Sequence, residues 1–269
     1  MNILLVTPLY AGGFDAGHFW LKALNELGHL VAVWDYRTQP IPPPVKVDFT
    51  LVMKGESIEP RTLRRPRICY WPDALERTPG IEQVLQHYDR VYTPVRPTPA
   101  GMTWLPTGWD PSIHRVMQAP RDIPSLYIGT NNSPRKRGFL AVVKPTFLAG
   151  NGWPDTWQAL GPQYLHDFVA LASRAKVAIN IHQGPVGLNR KLFELIPSAF
   201  TITDRVPGVE EVLGEDLGYQ VSFDTPEEGK SLLEWALLHP EKMEELWAKE
   251  KAKIAPYTYL NACRKILGS

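Results

Sequence analysis

The apolar residues of the first hundred positions fall into short runs that are typical of buried parallel strands. The first run is Asn2 to Thr7, which ends at Pro8. Apolar residues then recur at helical spacing from Phe19 to Leu27, and Gly28 ends that helix. The further strands predicted here are His29 to Trp34, Phe49 to Met53, Arg67 to Trp71 and Arg90 to Tyr92. This alternation predicts right-handed parallel α/β units.

The alternation stops once and then restarts. The passage from Thr93 to Pro124 is rich in proline and glycine, which is typical of a domain boundary. The strands predicted after it are Ser125 to Gly129, Phe147 to Ala149, Val177 to Ile181, Phe200 to Thr203 and Tyr219 to Phe223. Helices are predicted between and after them, the last ones over Glu227 to His239, Glu241 to Ala255 and Leu260 to Leu267. We therefore predict an α/β fold of two Rossmann-like domains facing across a cleft.

The predicted boundaries follow from that pattern. Residues 1–110 form an N-terminal Rossmann-like domain, and residues 111–123 form a linker. Residues 124–250 form a second Rossmann-like domain, and a final helix over 251–269 returns to the first one. Parallel sheets bind ligands at the carboxyl ends of their strands, so we expect the site in the cleft between the domains.

Charge and cysteine content exclude several classes of protein. The chain of 269 residues has 29 Lys and Arg against 28 Asp and Glu, a net charge of +1, which argues against a strongly basic nucleic-acid coat or an acidic tail. Its two cysteines, Cys69 and Cys263, are too few for a disulfide framework or a zinc cluster. The first residues lack the basic region of a signal peptide, and no apolar run reaches about 20 residues. We expect a cytoplasmic protein without a membrane span.

Proline is unusually common. There are 26 prolines, about twice the usual share, and only eight asparagines and eight glutamines. High proline with few thermolabile amides favours a thermostable protein. Loop chemistry is the alternative, because many prolines cluster, as in Pro40 to Pro44.

The first candidate site is the loop from Ala11 to His18, which follows the first strand and opens the first helix. Gly13 would allow a ligand to approach the backbone closely, and a helix N-terminus favours an anion. The loop departs from the GxGxxG pattern, so a simple tight turn stays an equal alternative.

The segment from Ile179 to Glu194 is more informative. A strand leads through a Gly/Pro loop into a helix that begins with Arg190 and Lys191. Cations at a helix start oppose the helix dipole, and a bound phosphate would explain them. Glu194 lies one turn later, on the face of Arg190, where its carboxylate is expected to accept hydrogen bonds from ribose hydroxyls and to form no ion pair that the helix needs.

Two further groups belong to the same half. Arg135, Lys136 and Arg137 follow the first strand of this half and are candidates to meet the same phosphates. A solvated helix face is the alternative for this charge run. His182, at a strand end, is a candidate contact to the sugar or the phosphate.

Several passages stand in a characteristic order along the chain: HFWLKALNELGHLVAVWDYR, LVMKG, YWPD, LPTGWDPSIH, YIGTNNSPRKRGF, LNRKLFELIPSAFTITD and PGVEEV. In this order the chain resembles the GT-B glycosyltransferases, and most closely the spore maturation protein CgeB-like group. The resemblance spans nearly the whole chain and is strongest from Phe193 to Asp204.

The resemblance implies a nucleotide-diphospho-sugar donor, expected to be a UDP-sugar, held mostly by the C-terminal half. Glu194 falls where such enzymes place their ribose-binding glutamate. Arg137 and Lys191 fall near the diphosphate cations, with Arg190 competing for the second role. Retaining members carry a Glu-x7-Glu pair, but here the position eight before Glu194 is Val186, so the stereochemical outcome stays open.

No Asp-x-Asp pair occurs, so we expect neither a catalytic metal nor any other cofactor. The acceptor hydroxyl still needs a base. The candidates are Asp15 and Asp73, ranked equally, and His18 behind them.

The acceptor is not identified by the sequence. A basic cluster in the first half, together with three tryptophans expected near the rim, would suit sugars, phosphates or DNA. These residues are Arg61, Arg64, Arg65, Arg67, Trp71, Trp104 and Trp109. A phage-type DNA glycosyltransferase is therefore one alternative, though not favoured, and a non-catalytic nucleotide-sugar-binding module is another.

Overall fold

The computed structural model describes residues 1–9 and 16–268. Its strands are β1 Asn2–Val6, β2 Leu30–Trp34, β3 Phe49–Met53, β4 Arg67–Tyr70, β5 Arg90–Thr93, β6 Thr103–Trp104, β7 Ile123–Ile128, β8 Phe147–Ala149, β9 Ala175–Asn180, β10 Phe200–Asp204 and β11 Ser222–Phe223. Its α-helices are α1 Ala16–Glu26, α2 Ile81–Leu85, α3 Pro134–Val143, α4 Leu165–Arg174, α5 Arg190–Leu195, α6 Val209–Leu213, α7 Glu215–Val221, α8 Pro226–Leu238, α9 Pro240–Ile254 and α10 Tyr259–Leu267.

The first sheet is parallel and has the order β2-β1-β3-β4-β5-β6. Its inner strand β1 is apolar because both faces are covered, and Ile3, Leu5 and Val6 are fully buried. The chain passes from β1 to β2 on one side and to β3 on the other. The strand order therefore reverses between β1 and β3, and ligands of such sheets bind outside the carboxyl ends at that point.

The second sheet is also parallel, with the order β11-β10-β9-β7-β8. Its inner strand β9 is again apolar and buried, with Val177, Ala178 and Ile179 inaccessible to solvent. The chain leaves β7 toward β8 on one side and returns to β9 on the other. The reversal point of this sheet therefore lies between β7 and β9.

The chain divides into two compact units. One contains Met1–Thr107 together with the segment from Thr258 on, and the other is Gly108–Tyr257. The predicted linker over 111–123 thus belongs to the second unit in the structure, and α9 of that unit extends beyond the predicted domain end at residue 250. Each unit has its own parallel sheet, which confirms the predicted α/β class.

The C-terminal helix α10 packs against α1 within the first unit. The rings of Phe19 and Tyr259 stack with their centroids 5.1 Å apart, and the Trp20 ring meets Tyr259 edge-on at 5.7 Å. Aromatic pairs at these distances stabilise beyond the area they bury. The chain end is therefore part of the core of the first unit.

One predicted strand, Tyr219 to Phe223, is wrong over most of its length. Helix α7 continues to Val221, and β11 comprises only Ser222–Phe223. Leu217 and Val221, four residues apart, are buried, whereas Tyr219 between them is 68% exposed. This is helical spacing, which a five-residue window did not reveal.

A helix that spans a bilayer must be long and predominantly apolar. In residues 1–9 and 16–268, no helix meets both conditions.

Candidate functional site

The carboxyl ends of β7 and β9 bring two chain segments together in the second unit. The two strands are neighbours, with Leu126 opposite Ala178 and Tyr127 opposite Ile179. The segment after β7 leads into α3, and the segment after β9 leads into α5. Because both strands run in the same direction, the starts of these two helices lie at the same edge of the sheet.

Helix α3 begins with a side-chain cap and carries a buried cation. The hydroxyl of Ser133 accepts a hydrogen bond from the backbone N–H of Lys136 at 3.3 Å. The Lys136 side chain is only 7% exposed, and its Nζ donates to Oδ1 of Asn132 at 2.7 Å. Burying an ammonium group is costly, so Lys136 is an unusual residue for a purely structural position. The predicted phosphate ligand Arg137 is exposed on the same helix.

Helix α5 places Lys191 close to that buried cation. Its ammonium lies 5.4 Å from the centre of the Phe168 ring. The pKa of Lys191 is lowered to about 8, chiefly by burial and also by the positive charges of Arg190 and Lys136, while the Glu194 carboxylate acts in the opposite direction. Lys136 lies on α3 and Arg190 on α5, so cations from both helices converge. The Glu194 carboxylate lies among these cations.

Glu194 is that carboxylate, and it is 5% exposed. Its Oε1 lies 2.7 Å from Nε of Arg190 and 3.7 Å from Nε2 of His114. The expectation that Glu194 forms no ion pair within its helix is therefore wrong, because Arg190 one turn earlier reaches it.

His182, which follows β9, is tied to the end of β10. Its Nδ1 lies 2.6 Å from Oδ1 of Asp204, and its backbone N–H donates to the same oxygen at 2.8 Å. Arg135 donates to Oδ2 of Asp204 from Nε and Nη2 at 3.1 and 2.9 Å. Burial would raise the pKa of Asp204, but His182 and Arg135 outweigh it and lower the pKa. Nε2 of His182 is buried with no hydrogen-bond partner in the part of the chain that the structure describes.

The predicted base candidates belong to the first unit, near the end of β1 and after β4. Gly13 and Asp15 lie outside the described residues. His18 is half-buried in the first turn of α1. Both oxygens of Asp73 are engaged, by Nζ of Lys54 at 3.0 Å and by Nη1 of Arg77 at 3.1 Å.

The predicted acceptor surface of the first unit is not assembled at one edge. Arg67 begins β4, so the basic cluster around it lies at the amino ends of the strands, away from their carboxyl ends. Within the cluster, Arg65 pairs with Asp89 at 2.9 Å. Trp71 is fully buried, so its expected place at the rim is wrong. Trp109 belongs to the second unit, where its Nε1 donates to the Ile254 carbonyl.

A cavity of about 650 Å³ opens after β10 and β11 in the second unit. Arg205 contributes one cation to it, but Glu210, Glu211, Glu215 and Asp224 also line it. This acidic lining does not suit a diphosphate. The cation group of α3 and α5 is the better candidate for an anionic ligand.

Within residues 1–9 and 16–268, no group of three His, Cys, Asp or Glu side chains is placed to hold a metal ion. The expectation of a metal-independent site stays a prediction.

Two residues of the site, Asp204 and His114, were not singled out by sequence reasoning, and Lys136 was named there only as one member of a basic run. Lys136 stood among three consecutive cations, and only the phase of α3 shows which of them is buried. Asp204 and His114 lie 22 and 80 positions from the residues they contact, so only the sheet order and the turn at the start of the second unit reveal them.

The chain was compared with known proteins. No protein-family model matches it, and no curated protein matches it. Among solved structures, AviGT4, a glycosyltransferase involved in avilamycin A biosynthesis, covers 99% of this chain and 96% of its own at 14% identity and a TM-score of 0.65. The T4 phage β-glucosyltransferase with UDP-glucose covers 98% and 99% at 11% identity and a TM-score of 0.63. A trehalose-6-phosphate structure from E. coli, bound with UDP-2-fluoro glucose, covers 100% and 98% at 9% identity and a TM-score of 0.70.

These similarities extend over the whole of each chain. At 9 to 14% identity they show the fold and no more. The chain has the α/β fold with two parallel sheets that the GT-B glycosyltransferases share.

Proposed function

We propose that this chain is a glycosyltransferase that moves a sugar from a UDP-sugar to an acceptor hydroxyl without a catalytic metal. The observation that carries the proposal is the convergence of Lys136, Arg190 and Lys191, since the positive charges of Arg190 and Lys136 add to the effect of burial in lowering the pKa of Lys191. A bound diphosphate would relieve the repulsion among these charges. Its negative charge grows as the sugar departs, so fixed cations stabilise the transition state more than the ground state.

Glu194 would hold the ribose of the donor. Arg190 and His114 both approach Oε1, which leaves Oε2 to accept a hydrogen bond from a ribose hydroxyl. His182 would meet the sugar or the diphosphate through Nε2, because Asp204 fixes the orientation of its ring. The cationic role proposed for the exposed Arg137 would require its side chain to turn toward the donor.

The uridine base is proposed from the structural neighbours. The T4 phage enzyme has been solved with UDP-glucose and the E. coli protein with UDP-2-fluoro glucose. A T4 phage structure also contains UDP and Mn²⁺, so metal independence has to be tested for this chain directly.

The base that accepts the proton of the acceptor hydroxyl would come from the loop before α1. Lys54 and Arg77 each contact one oxygen of Asp73, so an acceptor hydroxyl would have to displace one of these cations to reach the carboxylate. His18 lies in the first turn of α1, and Asp15 directly precedes that helix in sequence. We assign the base to this pair.

Two finer assignments rest on sequence features. We place the chain in the CgeB-like group because of the passage from Phe193 to Asp204. We place it in the cytoplasm because Cys69 and Cys263 are both buried free thiols, which suits a reducing compartment.

DNA is the second candidate acceptor. The T4 phage DNA-modifying β-glucosyltransferase covers 100% of this chain and 100% of its own at 12% identity and a TM-score of 0.65, so the two chains have a similar extent. The basic cluster around Arg67, at the amino ends of its strands, does not support DNA. A sugar or small-molecule acceptor is favoured over DNA for that reason.

The test is release of UDP from UDP-glucose and other UDP-sugars, measured with a panel of acceptors that includes duplex DNA. Release that depends on an acceptor and falls in Lys191→Ala supports a transferase. Binding of UDP without release, for every donor and acceptor, would identify a non-catalytic binding module. No binding of UDP would remove the proposal.

A further inference from the structure

The start of the second unit forms a tight turn that ends at a buried histidine. Oδ1 of Asp110 accepts hydrogen bonds from the backbone N–H and the hydroxyl of Ser112, both at 2.8 Å. The carbonyl of Asp110 accepts from the backbone N–H of His114 at 2.8 Å. His114 is 3% exposed, and its ring meets the Phe168 ring edge-on at 6.3 Å. The imidazole is therefore fixed in place by backbone and packing.

The hydrogen bonds also determine the tautomer of this ring. The backbone N–H of Asp110 donates to Nδ1 of His114 at 3.0 Å, so Nδ1 is an acceptor and carries no proton. Burial lowers the pKa of His114, outweighing the opposite effect of Glu194, which favours the neutral ring at neutral pH. The single ring proton is then on Nε2, the atom 3.7 Å from Oε1 of Glu194.

Glu194 thus has both its neighbours at one oxygen. Arg190 approaches Oε1 from the preceding turn of α5, and His114 approaches it from a segment 80 positions earlier in the chain. At 3.7 Å the ring of His114 contacts the carboxylate without a full hydrogen bond, and two neighbours at one oxygen restrict the rotation of the carboxylate more than one would. This restriction also limits the directions that Oε2 can take.

We propose that His114 is a positioning residue, which together with Arg190 fixes the Glu194 carboxylate so that Oε2 is aimed at the ribose hydroxyls of the donor. The proposal rests on the ribose role given to Glu194 above. It adds that the distinction between ribonucleotides and deoxyribonucleotides depends on a side chain that does not touch the nucleotide. The ligand class is therefore a ribonucleoside diphosphate.

If His114 only packs the core, its replacement should affect nucleotide affinities in a different way. Loss of packing would weaken the binding of every nucleotide by the same factor. Loss of positioning would weaken the ribonucleotide and spare the analogue that lacks a hydroxyl. The ratio of the two affinities separates these cases.

The experiment measures binding of UDP and of 2′-deoxy-UDP to wild type, His114→Asn and His114→Gln by calorimetry. The asparagine variant keeps an acceptor for the Asp110 N–H but is too short to reach Glu194. The glutamine variant has an N–H donor that reaches as far as Nε2. We expect wild type to prefer UDP about 10-fold or more, since one lost hydrogen bond to a charged group has about that effect. The preference should fall to about 3-fold or less in His114→Asn and return in His114→Gln.

Three other results of this binding experiment are possible, and each contradicts a different part of the proposal. An unchanged preference in His114→Asn removes the positioning role but leaves the donor site intact. Equal binding of both nucleotides by wild type removes the ribose contact of Glu194 and this inference with it. No binding of UDP at all removes the proposed function.

A second measurement avoids the variants altogether. Nitrogen NMR of wild type should show the Nε2–H tautomer of His114, with a larger change on UDP than on 2′-deoxy-UDP. The opposite tautomer would overturn the proposal even if neither variant folds.

Discussion

Arg190 and Glu194 form an ion pair across one turn of α5, with Nε 2.7 Å from Oε1. Lys191 lies close to this pair, and the positive charges of Arg190 and Lys136 both act on it. Like charges held close together favour the binding of an anion. This charge arrangement is the physical basis for assigning the donor diphosphate to α3 and α5.

Removing one of the cations should reduce turnover more than binding. Lys191→Ala and Arg137→Ala are each expected to lower the rate of UDP release about 10- to 100-fold, and to weaken UDP binding less, because the leaving diphosphate gains charge in the transition state. The measurement is kcat together with the Kd for UDP. Lys230→Ala, an exposed cation in α8 of the same unit, is the control and should change neither. Equal losses in kcat and in affinity would contradict the argument.

The pKa of Lys191 predicts how binding depends on pH. UDP requires the charged ammonium, so affinity should be constant below about pH 8 and fall by up to about tenfold per pH unit above it. An arginine in Lys191→Arg keeps its charge throughout this pH range, so the variant should not lose UDP affinity above pH 8. A calorimetric series between pH 7 and 10 tests this. An identical slope in both proteins would assign the proton to another group.

The depressed pKa of Lys191 also has a consequence for folding. Below about pH 8 the group is protonated in the folded and the unfolded chain, and the penalty for burying its charge is fully present. Between that value and its ordinary pKa of 10.5, the unfolded chain binds more protons, so this group's contribution to stability rises with pH. A bound anion should lessen the penalty at neutral pH.

Glu250, which lies away from the proposed site, is expected to make the stability of the folded chain depend on pH. It is fully buried in α9, and burial raises its pKa well above 4.5, while Oε2 accepts from the backbone N–H of Thr201 at 3.1 Å. The folded chain therefore keeps the carboxyl protonated where the unfolded chain ionises it. Its contribution to stability is complete below about pH 4.5 and is lost as pH rises toward the folded pKa, by up to about 1.4 kcal/mol per pH unit.

Glu250→Gln should remove this loss. The amide keeps an acceptor for Thr201, so the variant is expected to be more stable than wild type at pH 8 and to lose less stability between pH 5 and 8. Denaturant unfolding at several pH values measures it. Glu241→Gln, an exposed position in the same helix, should follow wild type. A wild-type pH dependence in Glu250→Gln would show that Glu250 is ionised in the folded chain.

Metal independence predicts that UDP release survives EDTA. The cations around Lys191 would take the part that a divalent ion plays on a diphosphate. The assay compares dialysed enzyme with and without chelator and then with added Mg²⁺ or Mn²⁺. Loss in EDTA with rescue by either metal would show that these cations do not suffice.

The fold could be read from the sequence because its inner strands are covered on both faces. Runs such as Phe49–Met53 are continuous and apolar, and the structure has strands there. The predicted strand at Tyr219 failed because a short apolar segment fits a helix as well as a strand. The helical spacing is seen in the structure, where α7 packs against α6, α9, β10 and β11 and buries Leu217 and Val221.

The site was less predictable than the fold. Local spacing correctly placed Arg190 and Glu194 on one face of α5. It gave no information on Arg135, whose partner Asp204 is 69 positions away and becomes a neighbour only through the strand order. It also left open which member of the run from Arg135 to Arg137 is buried, because that depends on where α3 begins.

Calorimetric titration of UDP into wild type and Glu194→Ala tests the central claim most directly. We expect wild type to bind UDP and Glu194→Ala to bind it about 10- to 100-fold more weakly, because a carboxylate hydrogen bond contributes about 1.5–3 kcal/mol. Glu234→Ala is the matched control, since Glu234 is an exposed glutamate four residues after Lys230, and its affinity should equal that of wild type. Equal affinities of wild type and Glu194→Ala, with both proteins folded, would contradict the assignment of the donor site to α5.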